Sequence, residues 1–194
     1  MPPKPKFTKE EITAAALELV SEQGIEALTA RNLGARLGSS ARPIFTVFRS
    51  MEEVQQEVRT AAMRRFEAFI SGGREDVPIF KRFGIQMVRF AVEEPKLYQL
   101  LFMTENQVAR SFDDVFTSLG DTARLSLGVI QAEYQLDEEH ARILFRQIWI
   151  YTFGIGALCA AKVCHFTEED ISRMLSQAFA GTMLLVKSGG SLYD

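Results

Sequence analysis

Residues 28–54 read LTARNLGARLGSSARPIFTVFRSMEEV, and this stretch decides the fold. The letters describe two short helices joined by the turn Gly38-Ser39-Ser40. Glycine ends a helix readily, because it adopts the left-handed conformation without a steric cost. Two helices at such a turn are the outline of a helix-turn-helix, which places its second helix in the major groove of DNA.

The first of these two helices is predicted to begin after Thr29. The Thr29 hydroxyl can accept a hydrogen bond from a first-turn amide, as N-cap residues do. Leu33 and Leu37 lie one turn apart and give the helix an apolar side. Gly38 ends it, and Ser40 then offers an N-cap for the second helix.

The second helix is predicted over about residues 41–49. It begins with Ala41-Arg42-Pro43, where proline is tolerated because first-turn amides lack helical partners. Ile44, Val47 and Phe48 form its inward stripe. The outward side is small, polar and cationic, which suits a major groove about 12 Å wide. Its residues are Ser40, Arg42, Pro43, Phe45, Thr46 and Arg49.

The flanking sequence favours DNA binding over a plain helical hairpin, although glycine-turn hairpins are also common in all-α proteins. Residues 8–23 form an amphipathic helix that begins with a capping box, Thr8 and Glu11, and ends at Gly24. Ser50, followed by Met51-Glu52-Glu53, begins a further long helix. The apolar side of the first helix consists of Ile12, Ala15, Ala16, Leu19 and Val20.

These segments resemble the tetracycline-repressor (TetR) type of bacterial transcription regulator. The resemblance rests on five motifs: Glu22-Gln23-Gly24, Leu28-Thr29-Ala30-Arg31, Leu37-Gly38, Ile44-Phe45-Thr46-Val47-Phe48 and Ser50-Met51-Glu52-Glu53-Val54. It implies an all-α protein of about nine helices. Residues 1–50 would be the DNA-binding domain, and residues 51–194 a helical domain for effector binding and dimerisation. We therefore expect a homodimer that binds a palindromic operator, with repression as the family default and a small molecule as the releasing effector.

The sequence departs from the family pattern at two positions that would contact phosphate. Phe45 stands where the family usually has tyrosine, so a hydroxyl donor is missing. Met51 stands where the family usually has lysine, so one ion pair is missing and the salt dependence should fall by about one unit of slope. The cations that could compensate are Lys4, Lys6, Lys9 and Arg49.

The resemblance and the outward positions together assign roles in DNA binding. We expect Arg42 to contact a guanine, because arginine pairs with two acceptors on the guanine edge. Ser40, Pro43 and Thr46 would set the local fit. The residues expected to position the sugar-phosphate backbone are Thr29, Arg31, Phe45 and Arg49.

The sequence beyond Glu53 predicts helices almost throughout, since no sustained alternation of period two indicates a sheet. Gly72-Gly73, Val77-Pro78 and Glu94-Pro95 interrupt the pattern. The long helix after Ser50 would link the two domains. The predicted helices span residues 51–71, 77–93, 96–103, 112–134, 137–163 and 167–187.

The last two helices are apolar over more of their circumference than a small domain covers. In the resembling family these helices pair with their copies in a second subunit, so we expect a two-fold homodimer. The alternative is that the same faces pack within one chain. The residues predicted at the subunit interface are Ile155, Met174, Leu175, Ala178, Phe179, Thr182 and Leu185.

The middle of the C-terminal domain is rich in phenylalanine and methionine, which most often form plain core. The resemblance implies that part of this set lines an effector pocket, and such a lining favours a lipophilic or aromatic ligand. Gln86, Arg89, Arg124 and Arg146 could supply polar anchors for the ligand. The pocket is predicted to contain Gln86, Met87, Phe90, Phe102, Met103, Phe112, Phe116, Trp149 and Phe153.

Composition fits a regulator and argues against other classes. The net charge is −3, but residues 1–50 carry seven Lys or Arg and five Glu, a net charge of +2, which leaves −5 for the rest. The start of the chain does not resemble a secretory signal, and the apolar run of residues 148–161 is too short to span a bilayer. We therefore expect a cytoplasmic protein that does not associate with a membrane.

No catalytic, cofactor or metal motif is found in the sequence, so we predict neither an enzyme nor a cofactor. Cys159 and Cys164 lie five residues apart, which favours structural thiols over a disulfide or a metal pair. Two other interpretations stay open. One is a helical ligand-binding or adaptor protein that recognises no specific DNA sequence, and the other is an all-α enzyme.

Overall fold

The computed structural model of the chain describes residues 5–73, 78–104, 111–118 and 120–188. Within these ranges it contains nine α-helices, two 3₁₀ helices and no strand, which confirms the predicted all-α fold. The α-helices are α1 (Lys9–Gln23), α2 (Ala30–Arg36), α3 (Met51–Ile70), α4 (Ile79–Glu93), α5 (Pro95–Phe102), α6 (Phe112–Ser118), α7 (Gly120–Tyr134), α8 (Glu138–Ala160) and α9 (Glu168–Lys187), and the 3₁₀ helices are Ile25–Ala27 and Ile44–Thr46.

Polar N-caps begin the helices where the sequence predicts them. Thr8 and Glu11 form a reciprocal capping box at α1, and the Thr29 hydroxyl accepts from the Asn32 amide at α2. Thr167 and Asp170 form a second capping box at α9. Each cap satisfies amides that have no partner inside the helix, so these starts follow from short-range chemistry.

The chain divides into two compact units. The head unit consists of Met1–Phe69 and Glu93–Thr104, and the body unit of Ile70–Val92 and Glu105–Asp194. Compactness therefore groups α3 and α5 with the first two helices. The predicted domain boundary at residue 50 stays a prediction.

The head unit is built on α1, which packs against α2 and α5. Its core residues are fully or almost fully buried, and Tyr98 from α5 is among the largest of them. Arg65 of α3 pairs with Glu18 of α1 at 2.8 Å and with Glu94, which precedes α5. The core includes Ile12, Ala16, Leu19, Val20, Leu33, Ile44, Phe48, Val54, Val58, Leu97 and Tyr98.

The body unit is organised around α8, which packs against α7 and α9. Length and composition alone would allow α8 to cross a membrane. Leu144, Phe145 and Ile148 of this helix instead belong to one hydrophobic cluster with Phe80 and Ile130. Burial against other helices makes α8 a core helix of this unit.

The helix predicted over residues 112–134 is described in two parts, α6 (Phe112–Ser118) and α7 (Gly120–Tyr134). Residue 119 and Val77, the latter predicted at the start of α4, both lie outside the described residues.

Candidate nucleic-acid interface

The turn after α2 depends on a close approach between Gly34 and the backbone that follows the turn. A Cβ atom at Gly34 would lie 2.9 Å from both the Ala41 nitrogen and the Ser40 carbonyl carbon. The Ser39 amide also donates to the Gly34 carbonyl at 2.9 Å. Only glycine fits here without a backbone shift, so Gly34 fixes how closely the second element lies against α2.

Gly38 turns the chain between the two elements. Its φ of +62° lies in the left-handed region, and its amide donates to the Ala35 carbonyl at 3.0 Å. This confirms the predicted role of Gly38 as the residue that ends the first helix.

The second element is a turn followed by a 3₁₀ helix, so the prediction of an α-helix over residues 41–49 is wrong. The amides of Ile44 and Thr46 donate to carbonyls three residues back, those of Ala41 at 3.1 Å and Pro43 at 3.2 Å. The Phe48 amide reaches back four residues, to the Ile44 carbonyl at 2.9 Å. The Thr46 hydroxyl also donates to the Pro43 carbonyl at 2.6 Å. Threonine competes with the backbone for this acceptor, which disfavours a regular α-helix over so few residues.

Two apolar side chains anchor the second element to the head unit. Ile44 is completely buried and Phe48 is 1% exposed, while Val47 is half-buried. The predicted inward stripe is therefore confirmed for Ile44 and Phe48. Arg42, Phe45, Thr46 and Arg49 of this element are exposed.

Seven of the eight residues predicted to bind DNA are exposed, and Pro43 is half-buried. Phe45 shows 47% of its surface, which is unusual for a phenylalanine that has only a packing role. The exposed seven are Thr29, Arg31, Ser40, Arg42, Phe45, Thr46 and Arg49.

The arginines of this surface differ in their charge partners. Among the described residues, Arg31, Arg42 and Arg49 have no ion-pair partner. Arg36 instead binds both carboxylate oxygens of Glu22, at 2.6 and 2.7 Å. That hydrogen bond lowers the pKa of Glu22. Three guanidinium groups are thus available to phosphates or bases, while Arg36 is committed within the head unit.

Two lysines at the start of the chain differ in the same way. Lys6 Nζ donates to Ser39 Oγ in the turn at 3.2 Å, a contact that the sequence did not indicate. Lys9 Nζ pairs with Glu57 at 2.6 Å, and this bond raises the pKa of Lys9. Lys4 lies outside the described residues.

The start of α3 is capped as predicted, without a cation. The Glu53 amide donates to Ser50 Oγ at 3.4 Å, and the Glu53 carboxylate accepts from the Arg49 amide at 2.7 Å. Met51 is half-buried at the first position of the helix. The first turn of α3 thus carries Glu52 and Glu53 and has no positive side chain at residue 51.

Two solved structures and one family model are similar to this chain. A solved structure described as a putative transcriptional regulator TetR family protein from Vibrio parahaemolyticus has a TM-score of 0.60 and 16% identity, over 89% of this chain and 96% of that one. A TetR-like transcriptional regulator from Rhodococcus sp. RHA1 has a TM-score of 0.60 and 14% identity, over 90% of this chain and 95% of that one. The family model for bacterial regulatory proteins, tetR family, matches residues 12–58. Residues 12–58 of this chain are thus a tetR-family segment, and the whole chain shares the fold of these two solved structures.

The tetR-family match covers α1, α2, the 3₁₀ helix Ile44–Thr46 and the start of α3. It therefore falls on the helix-turn-helix and its flanks, and the protein is a DNA-binding transcriptional regulator with this fold. None of the curated protein sequences matches the chain at a significant level.

The described residues of the body unit line at least two cavities. The larger, of about 400 Å³, has a polar wall that includes Arg82, Gln86, Arg89 and the start of α9 at Glu168 and Glu169. The smaller, of about 280 Å³, lies between α4, the end of α7, α8 and α9 and has a mostly apolar wall. Its lining residues are Pro78, Phe80, Lys81, Gly84, Tyr134, Ile148, Leu175, Ser176 and Phe179.

The nine residues predicted to bind an effector are distributed over both units. Phe102 and Met103 lie in the head unit, where the Phe102 ring contacts Phe66 and Tyr98 at 4.9 and 5.0 Å between centroids. The other seven lie in the body unit, and Gln86 lines the larger cavity. Met87 and Phe90 are buried, and Phe112, Phe116, Trp149 and Phe153 belong to stacked or edge-to-face aromatic pairs.

The seven residues predicted at the subunit interface are buried or half-buried within the body unit. Ile155 and Leu175 are 3% and 4% exposed, so the single chain already covers their side chains. The Phe179 ring packs against Tyr134 with centroids 4.9 Å apart. Met174, Ala178, Phe179, Thr182 and Leu185 are half-buried. These side chains are covered because this side of α9 packs against other helices of the body unit. Sequence periodicity alone could not predict which side of α9 would do so.

Other apolar and small residues of α8 and α9 are exposed. Tyr151 and Leu158 of α8 are 40% and 39% exposed, and Leu184 of α9 is 73% exposed. Gly154 and Gly181 are exposed beside them, and a Cβ atom at either would meet no atom of the described chain within 4 Å.

Proposed function

We propose that this regulator is a repressor that binds a palindromic operator as a homodimer and leaves it when a small, mostly apolar effector binds the body unit. We further propose a cytoplasmic location and no catalytic activity. The observation that carries the DNA-binding part is the exposed group of unpaired arginines beside a tight turn. The dimer and effector parts rest on the exposed faces of α8 and α9 and on the body cavities.

The geometry of the head unit supports recognition through the second element. Gly34 allows this element to lie close to α2, and Ile44 and Phe48 anchor it from the inside. Arg42 then projects into solvent without an ion pair among the described residues, so it keeps both donor pairs for a base edge. Arg31 and Arg49 would bind phosphates on either side.

The exposed faces of α8 and α9 support a homodimer. Tyr151, Gly154 and Leu158 recur on α8 at the spacing of one helix face, and Gly181 and Leu184 do the same on α9. Large apolar side chains gain by leaving water, and glycines let helices approach closely. A four-helix contact between two copies would cover both faces, and its two-fold symmetry would match a palindromic operator.

Release by an effector requires that the body unit adopt two arrangements, and that the protein bind the operator more tightly in one of them than in the other. The chain passes from α4 of the body unit directly into Glu94 and α5 of the head unit, and Glu94 is held by Arg65 of α3. An effector that shifts α4 would thus act on the head through this connection. A preference of about 3 kcal/mol for the released arrangement would lower operator affinity about a hundredfold.

The test of the DNA-binding part is selection of random duplex DNA on the purified protein at two salt concentrations. We expect a palindrome whose binding weakens as salt rises, because phosphate contacts release counterions. Recovery of no motif would contradict the proposal and favour a helical ligand-binding protein.

The dimer has its own test in the glycines of the exposed faces. Sedimentation should give the wild type about twice the chain mass of 21.8 kDa. Gly181→Leu should shift the protein toward the monomer, because the new side chain meets nothing within one chain but would occupy the contact between two. Gly128→Leu on α7, another exposed helical glycine with nothing within 4 Å, is the matched control. A wild type that is monomeric at concentrations that bind the operator would contradict the dimer.

A further inference from the structure

The apolar cavity of the body unit lies beside a buried hydroxyl that lacks a partner. Thr152 of α8 is 2% exposed, and among the described residues its Oγ1 is a buried side-chain oxygen without a hydrogen bond. Burying a hydroxyl without a hydrogen bond is costly, so such atoms in proteins usually have a role or a ligand.

Gly84 connects this hydroxyl to the cavity. Gly84 and Leu175 both line the apolar cavity. The position of a Cβ atom at Gly84 would lie 3.6 Å from Thr152 Oγ1 and 3.4 Å from Leu175 Cδ1. The missing side chain therefore leaves space between the cavity and the hydroxyl.

The remaining wall determines what kind of molecule fits the cavity. The rings of Phe80 and Tyr134 lie 6.3 and 4.9 Å from the ring of Phe179, measured between centroids, which gives an aromatic surface. Burial and the neighbouring Glu133 raise the pKa of Tyr134 to about 12, so its phenol stays neutral. Among the described residues that line the cavity, Lys81 alone is charged, and it is half-buried on a long, flexible side chain. A volume of about 280 Å³ holds one small ring system.

We propose that this cavity binds a small neutral aromatic molecule that carries one hydroxyl or carbonyl group, and that this group hydrogen-bonds to Thr152. A hydroxyl can donate and accept, so Thr152 accommodates either group. The inference rests on the proposed effector response, because it names the chemical class of the effector and the residue that selects it.

The test measures calorimetric binding of 2-naphthol and of naphthalene, which differ in the hydroxyl alone. Thr152→Val should weaken 2-naphthol binding about three- to tenfold, the size of a neutral hydrogen bond, and leave naphthalene binding unchanged. The variant should also melt at the same temperature as the wild type or higher, because it removes an unsatisfied hydroxyl while keeping the shape. Equal effects on both ligands would overturn the role of Thr152, and failure of the wild type to bind either ligand would overturn the cavity's assignment.

A second variant tests the space at Gly84. Gly84→Ala adds a methyl group at ordinary contact distances, so the protein should fold and gain some helix stability. We expect it to weaken 2-naphthol binding by separating the ligand from Thr152. Gly128→Ala is the control, since it makes the same change on α7 away from any neighbour and should not alter binding. Unchanged 2-naphthol binding in Gly84→Ala would contradict the proposal.

These measurements are separable from the test of the proposed function, because calorimetry requires no DNA. Binding of 2-naphthol without a selected operator would leave the cavity assignment intact and reject the regulator mechanism. A selected operator without 2-naphthol binding would support the regulator mechanism and reject the cavity assignment.

Discussion

The backbone nitrogen of Ala41 lies 2.9 Å from the position that a Cβ atom on Gly34 would occupy. Neither partner can move cheaply, because one is in the middle of α2 and the other starts the element that carries Arg42. The spacing between α2 and the DNA-facing residues thus depends on the absence of a single methyl group.

Gly34→Ala should therefore destabilise the head and weaken operator binding. Forcing a methyl group into a closely packed site typically costs about 1–3 kcal/mol. Urea unfolding measures the loss of stability, and fluorescence anisotropy with operator DNA measures the loss of affinity. Gly128→Ala on α7 is the control and should be neutral or slightly stabilising. Wild-type stability and affinity in Gly34→Ala would show that the turn relaxes easily.

Arg42→Ala should cost about 1–3 kcal/mol of operator binding and relax the preference at one base pair. Arg49→Ala should instead weaken binding to all sequences and reduce the salt slope by about one. Binding titrations on operators with single base changes separate the two outcomes. A uniform loss for Arg42→Ala would assign this residue to phosphate, contrary to the proposal. Arg36→Ala is the comparison for an arginine that is already paired, and it should leave base preference intact.

Arg65→Gln should loosen the attachment of α5 within the head unit. The change removes ion pairs to Glu18 and Glu94, both partly exposed, so the loss of global stability should stay below about 1 kcal/mol. Hydrogen exchange should nonetheless rise in α5, whose start depends on Glu94. Arg64→Gln changes the adjacent, exposed arginine and should leave exchange in α5 unaltered. Equal exchange in both variants would mean that burial of Leu97 and Tyr98 alone holds α5.

Acid should weaken α9 through Asp170. Hydrogen bonds from Thr167, and then from Arg173, hold the pKa of Asp170 below its ordinary value of 3.8. A group whose pKa is lowered by folding stabilises the protein above its unfolded value, and that contribution is lost as the pH falls through the folded value. The melting temperatures of wild type and Asp170→Asn should therefore differ most above pH 5 and converge below about pH 3.8. A constant difference across this range would contradict the role of the charge.

Cys164 should react with iodoacetamide before Cys159. Cys159 is 8% exposed and burial raises the pKa of its thiol, whereas Cys164 is partly exposed. Because the thiolate is the reactive form, mass spectrometry at pH 8 should find Cys164 alkylated at least about tenfold faster. Cys164→Ser should leave a single, slowly reacting site. Equal rates at the two cysteines would indicate that the end of α8 opens readily.

Sequence analysis succeeded where short-range chemistry decides the structure. Thr8 with Glu11 and Thr167 with Asp170 form their capping boxes within four residues, so no tertiary information was needed. The exposed positions of Arg42 and Arg49 followed in the same way from the spacing of Ile44 and Phe48. The family resemblance also rested on local motifs, and it is confirmed for residues 12–58.

Sequence analysis was less informative where distant residues meet. Periodicity showed that α9 has an apolar side, but not that Leu175 would face Gly84 and lie in the core. The Thr46 hydroxyl shares the Pro43 carbonyl with the backbone, and the resulting 3₁₀ helix was missed because the stripe of Ile44, Val47 and Phe48 fits an α-helix equally well. Gly34 inside a predicted helix was the one overlooked signal, since an interior glycine often marks a close approach.

The head unit's division into two separate stretches of chain limits how this regulator can be recombined. A chimera that joins its first 69 residues to another protein would omit α5. The surface of the head unit that packs against Leu97, Tyr98 and Leu100 would then be exposed to water. Such a fragment would tend to aggregate or to lose operator affinity, whatever body it received. Exchange of DNA specificity between regulators of this shape should therefore transplant individual side chains around Arg42, or carry α5 together with the head.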